Sequence, residues 1–336
     1  MSLIPSVSAP ATGRAVPVAW FVVSLLVAAG VGVAVTAVLL DRPSPPPGSI
    51  VVTNDFGQKV SVPYDPARVA VLSPSIMDSV DRLGLRSHVV AVDCYAAALG
   101  GLSDDYSPDQ IAQWNLTSSM CVQVGPVFVP SMLVNLTPQL VLASTIVSIA
   151  AVEEITGELG IPVVILQPPT LSGVLVDEQT LGEIFGVPTA ANDLNAQLSS
   201  ELYNATNVSS SAASFPTVLL TYSVDTGGYW TFGPGTFGLS MLEIVGATSI
   251  SASTTIPYPE LSAALVLSAD PQRIVYGTGF GLTETSYAGG PDWSQFSAVK
   301  SGNLTGIDSN WITEPDPTMI LEGIPALLSV FHPSPV

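Results

Sequence analysis

The sequence predicts an α/β protein in which two Rossmann-like lobes are joined by a long inter-lobe helix and preceded by one N-terminal transmembrane helix. Three observations lead to this fold class. An uncharged apolar run covers residues 16–40, strand-like runs alternate with helical spacing over 68–166, and the alternation begins again at residue 217. Alternating strands and helices are typical of parallel sheets covered on both faces.

These segments divide the chain into consecutive parts. In order, they are a cytoplasmic N-terminus (1–15), a transmembrane signal-anchor (16–40), a Pro-rich linker (41–49), an N-terminal α/β lobe (50–170), an inter-lobe helix (171–210) and a C-terminal α/β lobe (211–336).

The run 16–40 is long enough to cross a membrane, because a helix of 25 residues rises about 37 Å. Arg14 precedes it, which favours a cytoplasmic N-terminus. The alternative is a signal peptide cleaved after Val35-Thr-Ala37, a small-residue site inside the run. We expect an uncleaved single-pass anchor in the cell membrane, which leaves the soluble domain extracytoplasmic on a stiff spacer at prolines 45–47.

The charge of the chain argues against some partners. There are 27 acidic residues and 8 lysines and arginines, which gives a net charge of −19. Such a chain is repelled by nucleic acid and by anionic lipid headgroups, so we expect no nucleic-acid partner. Only 10% of the residues are charged, which suits a surface exposed to acid, where carboxylates are protonated.

Two features fit an exported protein. The two cysteines, Cys94 and Cys121, predict a disulfide if the domain is extracytoplasmic, and the alternative is a pair of buried thiols. Asn-x-Ser/Thr triplets predict N-glycosylation. The predicted sites are Asn115, Asn135, Asn204, Asn207 and Asn303.

The elements of the N-terminal lobe follow from local patterns. A hairpin is predicted over 49–63, because Asn54-Asp-Phe-Gly57 separates two alternating runs. Ser75 is the expected N-cap of a helix that ends at Gly84. The other elements are strands at 68–72, 88–92, 140–143 and 161–166, a helix around 147–159 and a loop over 98–120.

Helical spacing over 177–204, with Pro188 breaking or kinking it, predicts the connection between the lobes. The C-terminal lobe then repeats the plan of the first. Its strands are predicted at 217–223, 273–276 and 303–308, and its helices at 237–245 and 319–330.

Nothing in the sequence indicates an enzyme. The chain lacks a Gly-x-Ser-x-Gly elbow, a Walker loop and a Gly-x-Gly-x-x-Gly fingerprint. Its two histidines, His88 and His332, do not support a metal cage. We therefore expect no catalytic residues, no metal site and no cofactor.

Aromatic residues follow several predicted strands, and they are the candidate ligand contacts. Ligands of open α/β sheets bind beyond the carboxyl ends of the strands, and rings there offer large flat contacts. The alternative is that each ring caps a local core. The candidates are Tyr95, Trp230, Tyr258 and Trp311, with Tyr222 also at a strand end.

Four stretches match one known family in order and spacing. They are Thr53-Asn-Asp-Phe-Gly-Gln-Lys-Val-Ser-Val-Pro63 with Pro66–Pro74, Val124-Gly125 with Leu136-Thr-Pro-Gln-Leu-Val-Leu-Ala143, Leu265–Val275, and Asp308-Ser-Asn-Trp311. Together they resemble the substrate-binding proteins of ABC importers for cobalamin and iron–siderophores, the helical-backbone class III of periplasmic binding proteins.

The resemblance implies two lobes around a rigid helix, a ligand held between them and an ABC permease as partner. It also implies that the four candidate rings contact a corrinoid. Siderophore-binding members add arginines, which are scarce here. A corrinoid is therefore the expected ligand, and an iron–siderophore or haem is the alternative. The glutamates that dock such proteins to a permease are replaced by Ser131 and Ala264, and Glu260, one helical turn away in the second lobe, is the candidate substitute. A second alternative is a glycosylated cell-surface structural or assembly protein built on this fold.

Overall fold

The computed structural model describes residues 48–94, 106, 108–124, 127–212, 215–279 and 281–332. The predicted cytoplasmic segment 1–15 and transmembrane segment 16–40 lie outside these residues, as does the linker 41–49 except for Gly48 and Ser49. None of the described helices is long and apolar enough to cross a membrane. Residues 47–336 form one compact unit.

The unit opens with the predicted hairpin, in which β1 (Ser49–Thr53) pairs antiparallel with β2 (Lys59–Pro63). The Asn54 side chain organises the turn, because its Oδ1 accepts hydrogen bonds from the backbone N–H groups of Phe56 (3.1 Å) and Gln58 (2.9 Å). Gly57 adopts a positive φ of 72° there. An Asx turn followed by glycine is what this sequence favours.

The first sheet is parallel, as expected, with the strand order β4-β3-β7-β8. Its strands are buried apolar runs, as a sheet covered on both faces requires. In chain order they are β3 (Val69–Leu72), β4 (Val89–Val92), β7 (Leu140–Ala143) and β8 (Val163–Ile165), with β5 (Gln123–Val124) and β6 (Val127–Phe128) forming a separate small hairpin.

Four helices accompany this sheet. They are α1 (Pro74–Arg82), α2 (Pro108–Trp114), α3 (Pro130–Leu136) and α4 (Ile149–Gly157). Helix α1 begins after Ser73 rather than after the predicted cap Ser75, because Pro74 occupies the first turn, where its missing N–H is not needed. The predicted loop 98–120 contains α2 and a 3-10 turn at Ser118–Met120.

A disulfide joins Cys94 to Cys121, with their Cα atoms 5.4 Å apart. Cys94 follows β4, and the Cys121 segment lies beside the same strand, where Val122 N–H donates to Val92 O at 3.1 Å. The bond therefore fastens the start of the 95–120 connection to its end.

The segment predicted as one inter-lobe helix consists of two helices, α5 (Leu171–Ile184) and α6 (Pro188–Ser210). The break comes at Gly186, whose φ of 66° is incompatible with a continuing right-handed helix. Pro188 then starts α6 at a position where proline is tolerated.

The second sheet has the order β12-β10-β9-β13-β14, and β11 pairs with β9. Its strands are β9 (Thr217–Val224), β10 (Tyr229–Thr231), β11 (Thr248–Ser249), β12 (Glu260–Leu261), β13 (Arg273–Thr278) and β14 (Leu304–Asp308). Strands β9, β13 and β14 are mutually parallel, whereas β10 is antiparallel to β9 and to β12. The sheet is therefore mixed, because the short turn 225–228 can only join antiparallel neighbours.

The remaining helices cover this sheet and close the chain. They are α7 (Phe237–Ile244), α8 (Ala263–Ala269), α9 (Glu284–Ala288), α10 (Ser297–Lys300), α11 (Asn310–Thr313), a π-turn (Met319–Gly323) and α12 (Ile324–Phe331).

The same hydrogen-bond pattern occurs in both halves of the chain, at Pro138-Gln139 and at Pro271-Gln272. Gln139 donates its N–H to Arg68 O (2.8 Å), and its Oε1 accepts from Arg68 N (3.1 Å). Gln272 makes the same pair of bonds with Thr217, at 2.9 Å each. Gln139 thus joins the start of β3 to β7, the strand that follows Gln139. Gln272 joins the start of β9 to β13 in the same way.

Candidate functional site

A cleft of about 460 Å³ lies where the carboxyl ends of strands from both sheets meet. Residues 144–146 follow β7, and residues 167–169 come shortly after β8. The opposite side is formed by Tyr222 of β9, by the segment after β10 and by the loop before β12. The lining residues are Ser144, Thr145, Ile146, Gln167, Pro168, Pro169, Tyr222, Phe232, Gly235, Thr236, Phe237, Pro257, Tyr258, Thr313, Glu314 and Pro315.

One wall of the cleft is aromatic. The ring of Phe232 lies 4.8 Å from Tyr222, 5.4 Å from Phe237 and 6.2 Å from Tyr258, centre to centre. Phe237 and Tyr258 are 6.4 Å apart. These distances fall within or close to the range in which tilted aromatic pairs attract each other, so the rings support one another without a ligand.

Backbone hydrogen bonds hold the aromatic wall. Gly233 N donates to Pro257 O (2.7 Å), and Thr231 N donates to Pro259 O (3.0 Å). These two bonds fix the backbone on both sides of Tyr258. The Ser251 hydroxyl donates to Phe232 O at 2.6 Å.

The helix that carries Phe237 is also well capped. Thr236 is the N-cap of α7, and its Oγ1 accepts from Leu239 N (3.3 Å) and donates to Gly233 O (2.7 Å). The aromatic side of the cleft is therefore largely preformed, which lowers the ordering cost of binding.

The two tyrosines supply hydrogen-bond donors. Burial raises the pKa of Tyr222 to about 12, with the neighbouring Tyr258 adding to the effect. Burial also raises the pKa of Tyr258. Both hydroxyls therefore keep their protons at neutral and acid pH and can donate to a carbonyl or amide oxygen of a ligand.

The opposite wall carries polar side chains beside Ile146 and two prolines. Gln167 Oε1 accepts from the backbone N–H and the hydroxyl of Thr145, both at 3.3 Å. The backbone N–H of Gln167 donates to the Asp55 carboxylate. These contacts orient side chains that can form hydrogen bonds along one edge of a ligand.

The predicted ligand contacts do not all reach this cleft. Tyr258 lines it, and Tyr95 lies outside the described residues. Trp230 is not among the lining residues, and its indole N–H donates to Asp225 Oδ2 at 3.0 Å. Trp311 also does not line it and packs, partly buried, against the hydrophobic core.

The sequence reasoning did not name Phe232 and Phe237 as contacts. Phe237 falls in the predicted helix 237–245, and Phe232 follows β10, a strand that the sequence analysis did not predict. They are buried, at 2% and 3% exposure, yet both border the cleft. A usable signal was the turn Gly233-Pro-Gly235 between them, which brings both rings to one edge of the sheet.

Ser131 and Ala264 lie, exposed, in the first turns of α3 and α8. Glu260 is on β12, just before α8, and is also exposed. Its pKa is raised by a hydrogen bond to the Asp225 carboxyl, whereas the Trp230 indole N–H lowers the pKa of Asp225. The Glu260 carboxyl, which lies just before α8, is thus paired with a second surface carboxyl.

The other predicted sites are accessible or structural. All five sequon asparagines are exposed, and Asn204 and Asn207 lie one turn apart on α6. His88 Nδ1 lies 2.8 Å from Pro66 O, and His332 Nε2 lies 2.7 Å from Val245 O, so both histidines bond to backbone. The described part of the chain contains no group of three His, Cys, Asp or Glu side chains placed to hold a metal.

Comparison with known proteins identifies relatives of the chain. The family described as "Periplasmic binding protein" matches residues 69–311. A protein named cobalamin-binding protein from Halobacterium salinarum is 27% identical over 283 residues, which cover 81% of this chain and 71% of that protein.

Solved structures share the fold at lower identity. The periplasmic vitamin B12 binding protein of Vibrio cholerae aligns with a TM-score of 0.64 and 19% identity, covering 80% of this chain and 97% of that one. A protein of an ABC-type Fe3+-hydroxamate transport system from Saccharomonospora viridis aligns with a TM-score of 0.67 and 19% identity, covering 84% and 99%. At these identities the alignments establish the fold alone.

Proposed function

The chain belongs to the periplasmic binding protein family, and we propose that it is an extracytoplasmic solute-binding protein that captures a corrinoid for an ABC importer. The observation that carries the proposal is the cleft, which combines an aromatic wall with an absence of basic side chains among its lining residues. The relative from Halobacterium salinarum, named as cobalamin-binding, supports the same ligand class.

The shape of the cleft supports a large, flat and partly apolar ligand. Four neighbouring rings, those of Tyr222, Phe232, Phe237 and Tyr258, present an extended apolar wall. The volume of about 460 Å³ lies within the range of roughly 300–1,000 Å³ of small-molecule sites. A corrin ring can pack against this wall while its peripheral amides bond to tyrosine hydroxyls and to the polar wall.

The distribution of basic residues separates corrinoids from anionic ligands. From residue 48 onward the chain has Lys59, Arg68, Arg82, Arg86, Arg273 and Lys300. None of these lines the cleft, and the stretches after residue 47 that the structure leaves undescribed contain no lysine or arginine. Haem propionates or an anionic ferric chelate would meet no cation there, whereas the amides of a corrinoid need none.

Binding in this proposal is noncovalent, and the protein acts as a carrier rather than an enzyme. The N-terminal segment 16–40 tethers it to the cell membrane, and the five exposed sequons carry glycans. An ABC permease is the partner, although the absence of carboxylates at Ser131 and Ala264 means that docking uses other contacts, with Glu260 as one candidate.

A ligand panel tests the proposal. The full chain is heated with cobinamide, cyanocobalamin, hemin or ferrioxamine, all at one concentration that is about 100 times the Kd of the corrinoid. Cobinamide or cyanocobalamin should raise the Tm by about 5 °C or more, since ligand at this excess adds about 2.7 kcal/mol of stability. A shift with hemin or ferrioxamine alone would overturn the corrinoid assignment, and no shift with any of them would favour the structural or assembly role.

A further inference from the structure

A second group of side chains lies beside the cleft and takes no part in forming its walls. It consists of carboxyls contributed by the β1–β2 hairpin, by α1, by α5 and by the segment after α11. We name it the carboxyl cluster. Its members are Asp55, Asp78, Asp177, Glu178 and Asp316. Four of them are at least 92% buried, since their exposures are 8% for Asp78, 6% for Asp177, 0% for Glu178 and 6% for Asp316.

Part of the cluster ties the two halves of the chain together. Asp78 Oδ2 accepts from Thr318 Oγ1 (3.0 Å) and Thr318 N (3.3 Å), and it pairs with Arg82 Nε at 2.7 Å. Arg82 Nη2 also donates to Thr318 Oγ1 at 2.8 Å. Asp316 Oδ1 accepts from Met319 N at 2.8 Å. These contacts hold residues 316–319 against α1.

Asp55 and Asp177 are hydrogen-bonded to each other. Two carboxylates cannot share a hydrogen bond unless one of them carries a proton, because both are acceptors only when ionised. Asp55 also accepts from Gln167 N–H, so the proton belongs on Asp177.

Glu178 is enclosed, and neither of its carboxyl oxygens has a hydrogen-bond partner of normal geometry, although the nearby Ser79 hydroxyl acts to lower its pKa. It faces a small cavity of about 10 Å³, which is also lined by Ser75, Ser79 and Asp177. A cavity of that size holds roughly one water molecule. An ionised carboxylate in this position would lack the bonds that burial of a charge requires.

The positive charge near the carboxyl cluster is smaller than the negative charge that its carboxyls can carry. Arg82 is the one cation that interacts with it among the described residues, while Glu314 and Glu322 add further acidic groups. With all carboxyls ionised, one guanidinium would face seven negative charges. Uncompensated buried charge is costly, so the cluster is stable when protons neutralise several of its members.

We propose that the carboxyl cluster is a proton-binding latch, in which protons on Glu178 and on the Asp55–Asp177 pair hold residues 314–318 against α1 and α5 and thereby keep one wall of the ligand cleft in place. The coupling is direct in space, because Pro168 and Pro315 line both the small cavity and the main cleft. The proposal does not rest on the identity of the ligand.

The pKa directions agree with this geometry. Burial, followed by the nearby Asp55 and Glu178, raises the pKa of Asp177 to about 9 from 3.8. Burial raises the pKa of Glu178 to about 8 from 4.5. Burial also raises the pKa values of Asp55 and Asp316. A carboxyl whose pKa is higher in the folded than in the unfolded state contributes its full stabilisation of the fold at pH values below its unfolded pKa, near 4 here. This stabilisation is lost as the pH rises through the folded-state pKa values of about 8 and about 9.

The first test measures proton release by the full chain. Urea unfolding is followed between pH 5 and pH 9, and the slope of stability against pH gives the difference in bound protons. Unfolding at pH 7 should release about two protons or more, and the urea midpoint should fall steadily as the pH rises. A midpoint that does not fall over this range would overturn the proposal.

The second test removes one titrating group. Glu178→Gln should reduce the number of protons released on unfolding by about one. The variant should therefore lose less stability than the wild type as the pH rises to 9. Glu183→Gln is the matched control, because Glu183 is exposed on the same helix, and it should keep the wild-type slope. If Glu178→Gln does not fold, Asp177→Asn makes the same test, because it removes the member of the Asp55–Asp177 pair that carries the proton. A wild-type slope in the variant that folds would overturn the proposal.

The third test locates the effect. Amide hydrogen exchange, corrected for its intrinsic pH dependence, should speed up over residues 313–319 between pH 6 and pH 9 in the wild type. The core strand β13, which opens only by global unfolding, should stay better protected than 313–319 at every pH, and Glu178→Gln should suppress the change at 313–319. An opening free energy at 313–319 equal to that of β13 would show that this segment opens only by global unfolding and would contradict a local latch.

Discussion

The ligand site depends on a few side chains whose positions are set by local backbone contacts. Tyr258 is held between two backbone hydrogen bonds to Thr231 and Gly233, so its ring is presented to the cleft without a rearrangement. Of the four candidate contacts from the sequence, it is the one that lines the cleft among the described residues, and Tyr222, which the sequence also places at a strand end, lines it as well.

Removing this ring should weaken corrinoid binding. Tyr258→Ala loses both a stacking surface and a hydroxyl donor, so the Kd for cobinamide should rise about tenfold or more, which corresponds to about 1.4 kcal/mol. Fluorescence quenching titration of the full chain measures this change. Tyr203→Ala is the matched control, because Tyr203 is 68% exposed on α6 and outside the cleft. An unchanged Kd for Tyr258→Ala would show that the ligand does not use this wall.

Sequence reasoning located the edge of the sheet where the site lies, but not every ring that forms it. Side chains alternate across a strand, so neighbouring residues point to opposite faces. Tyr229 is buried against Trp293 and Phe296, while Trp230 points to the other face, towards Asp225. Which face borders the cleft depends on the antiparallel pairing of β10, and that pairing was not predicted.

At the scale of elements, the break between α5 and α6 is the feature most sensitive to one residue. Gly186 has a φ of 66°, and a Cβ placed on it would clash with the Tyr64 hydroxyl oxygen. The turn therefore needs a glycine both for its conformation and for the close approach of Tyr64.

Gly186→Ala should destabilise the protein by about 1–2 kcal/mol or more, because alanine disfavours left-handed backbone. Gly157→Ala is the matched control. Gly157 is at the end of helix α4 without a positive φ, and nothing lies within 4 Å of an added Cβ. That change should be neutral or stabilise by up to about 1 kcal/mol. Urea unfolding measures both, and equal effects would contradict the account of the break.

The disulfide gives a second prediction at this scale. The Cys94–Cys121 bond closes a loop with a sequence separation of 27. Replacing both cysteines by serine should lower the free energy of unfolding by about 3–4 kcal/mol, because the unfolded chain regains the entropy of the open loop. A reducing agent should have a comparable effect on the wild type and none on the double variant. No effect on the wild type would show that the bond contributes little.

Most elements could be predicted from local patterns, because buried strands and capped helices leave strong signals in the sequence. The predicted strand 140–143 coincides with β7, and the predicted helix 237–245 ends one residue after α7. The mixed character of the second sheet could not be predicted, because it depends on how the short strands β10 and β12 pair across distant parts of the chain.

At the scale of the whole molecule, the distribution of charge defines what the cleft accepts. The chain has 27 acidic residues, 8 basic residues and no basic side chain among those that line the cleft. The electrostatic environment therefore favours neutral or cationic ligands over anionic ones of the same shape.

A matched pair of ligands tests this selectivity without changing the protein. Cobinamide and cobyrinic acid share the corrin ring, but cobyrinic acid carries carboxylates in place of peripheral amides. Cobyrinic acid should bind about tenfold or more weakly at neutral pH, because its carboxylates meet no cation. Competition titration gives the ratio. Equal affinities would show that charge does not contribute to selection.

The most direct test of the function is isothermal titration of the full chain with cobinamide and cyanocobalamin. We predict saturable binding with one corrinoid per chain, and no saturable heat with hemin under the same conditions. Saturable binding of hemin, together with no heat from either corrinoid in correctly folded protein, would contradict the proposed function.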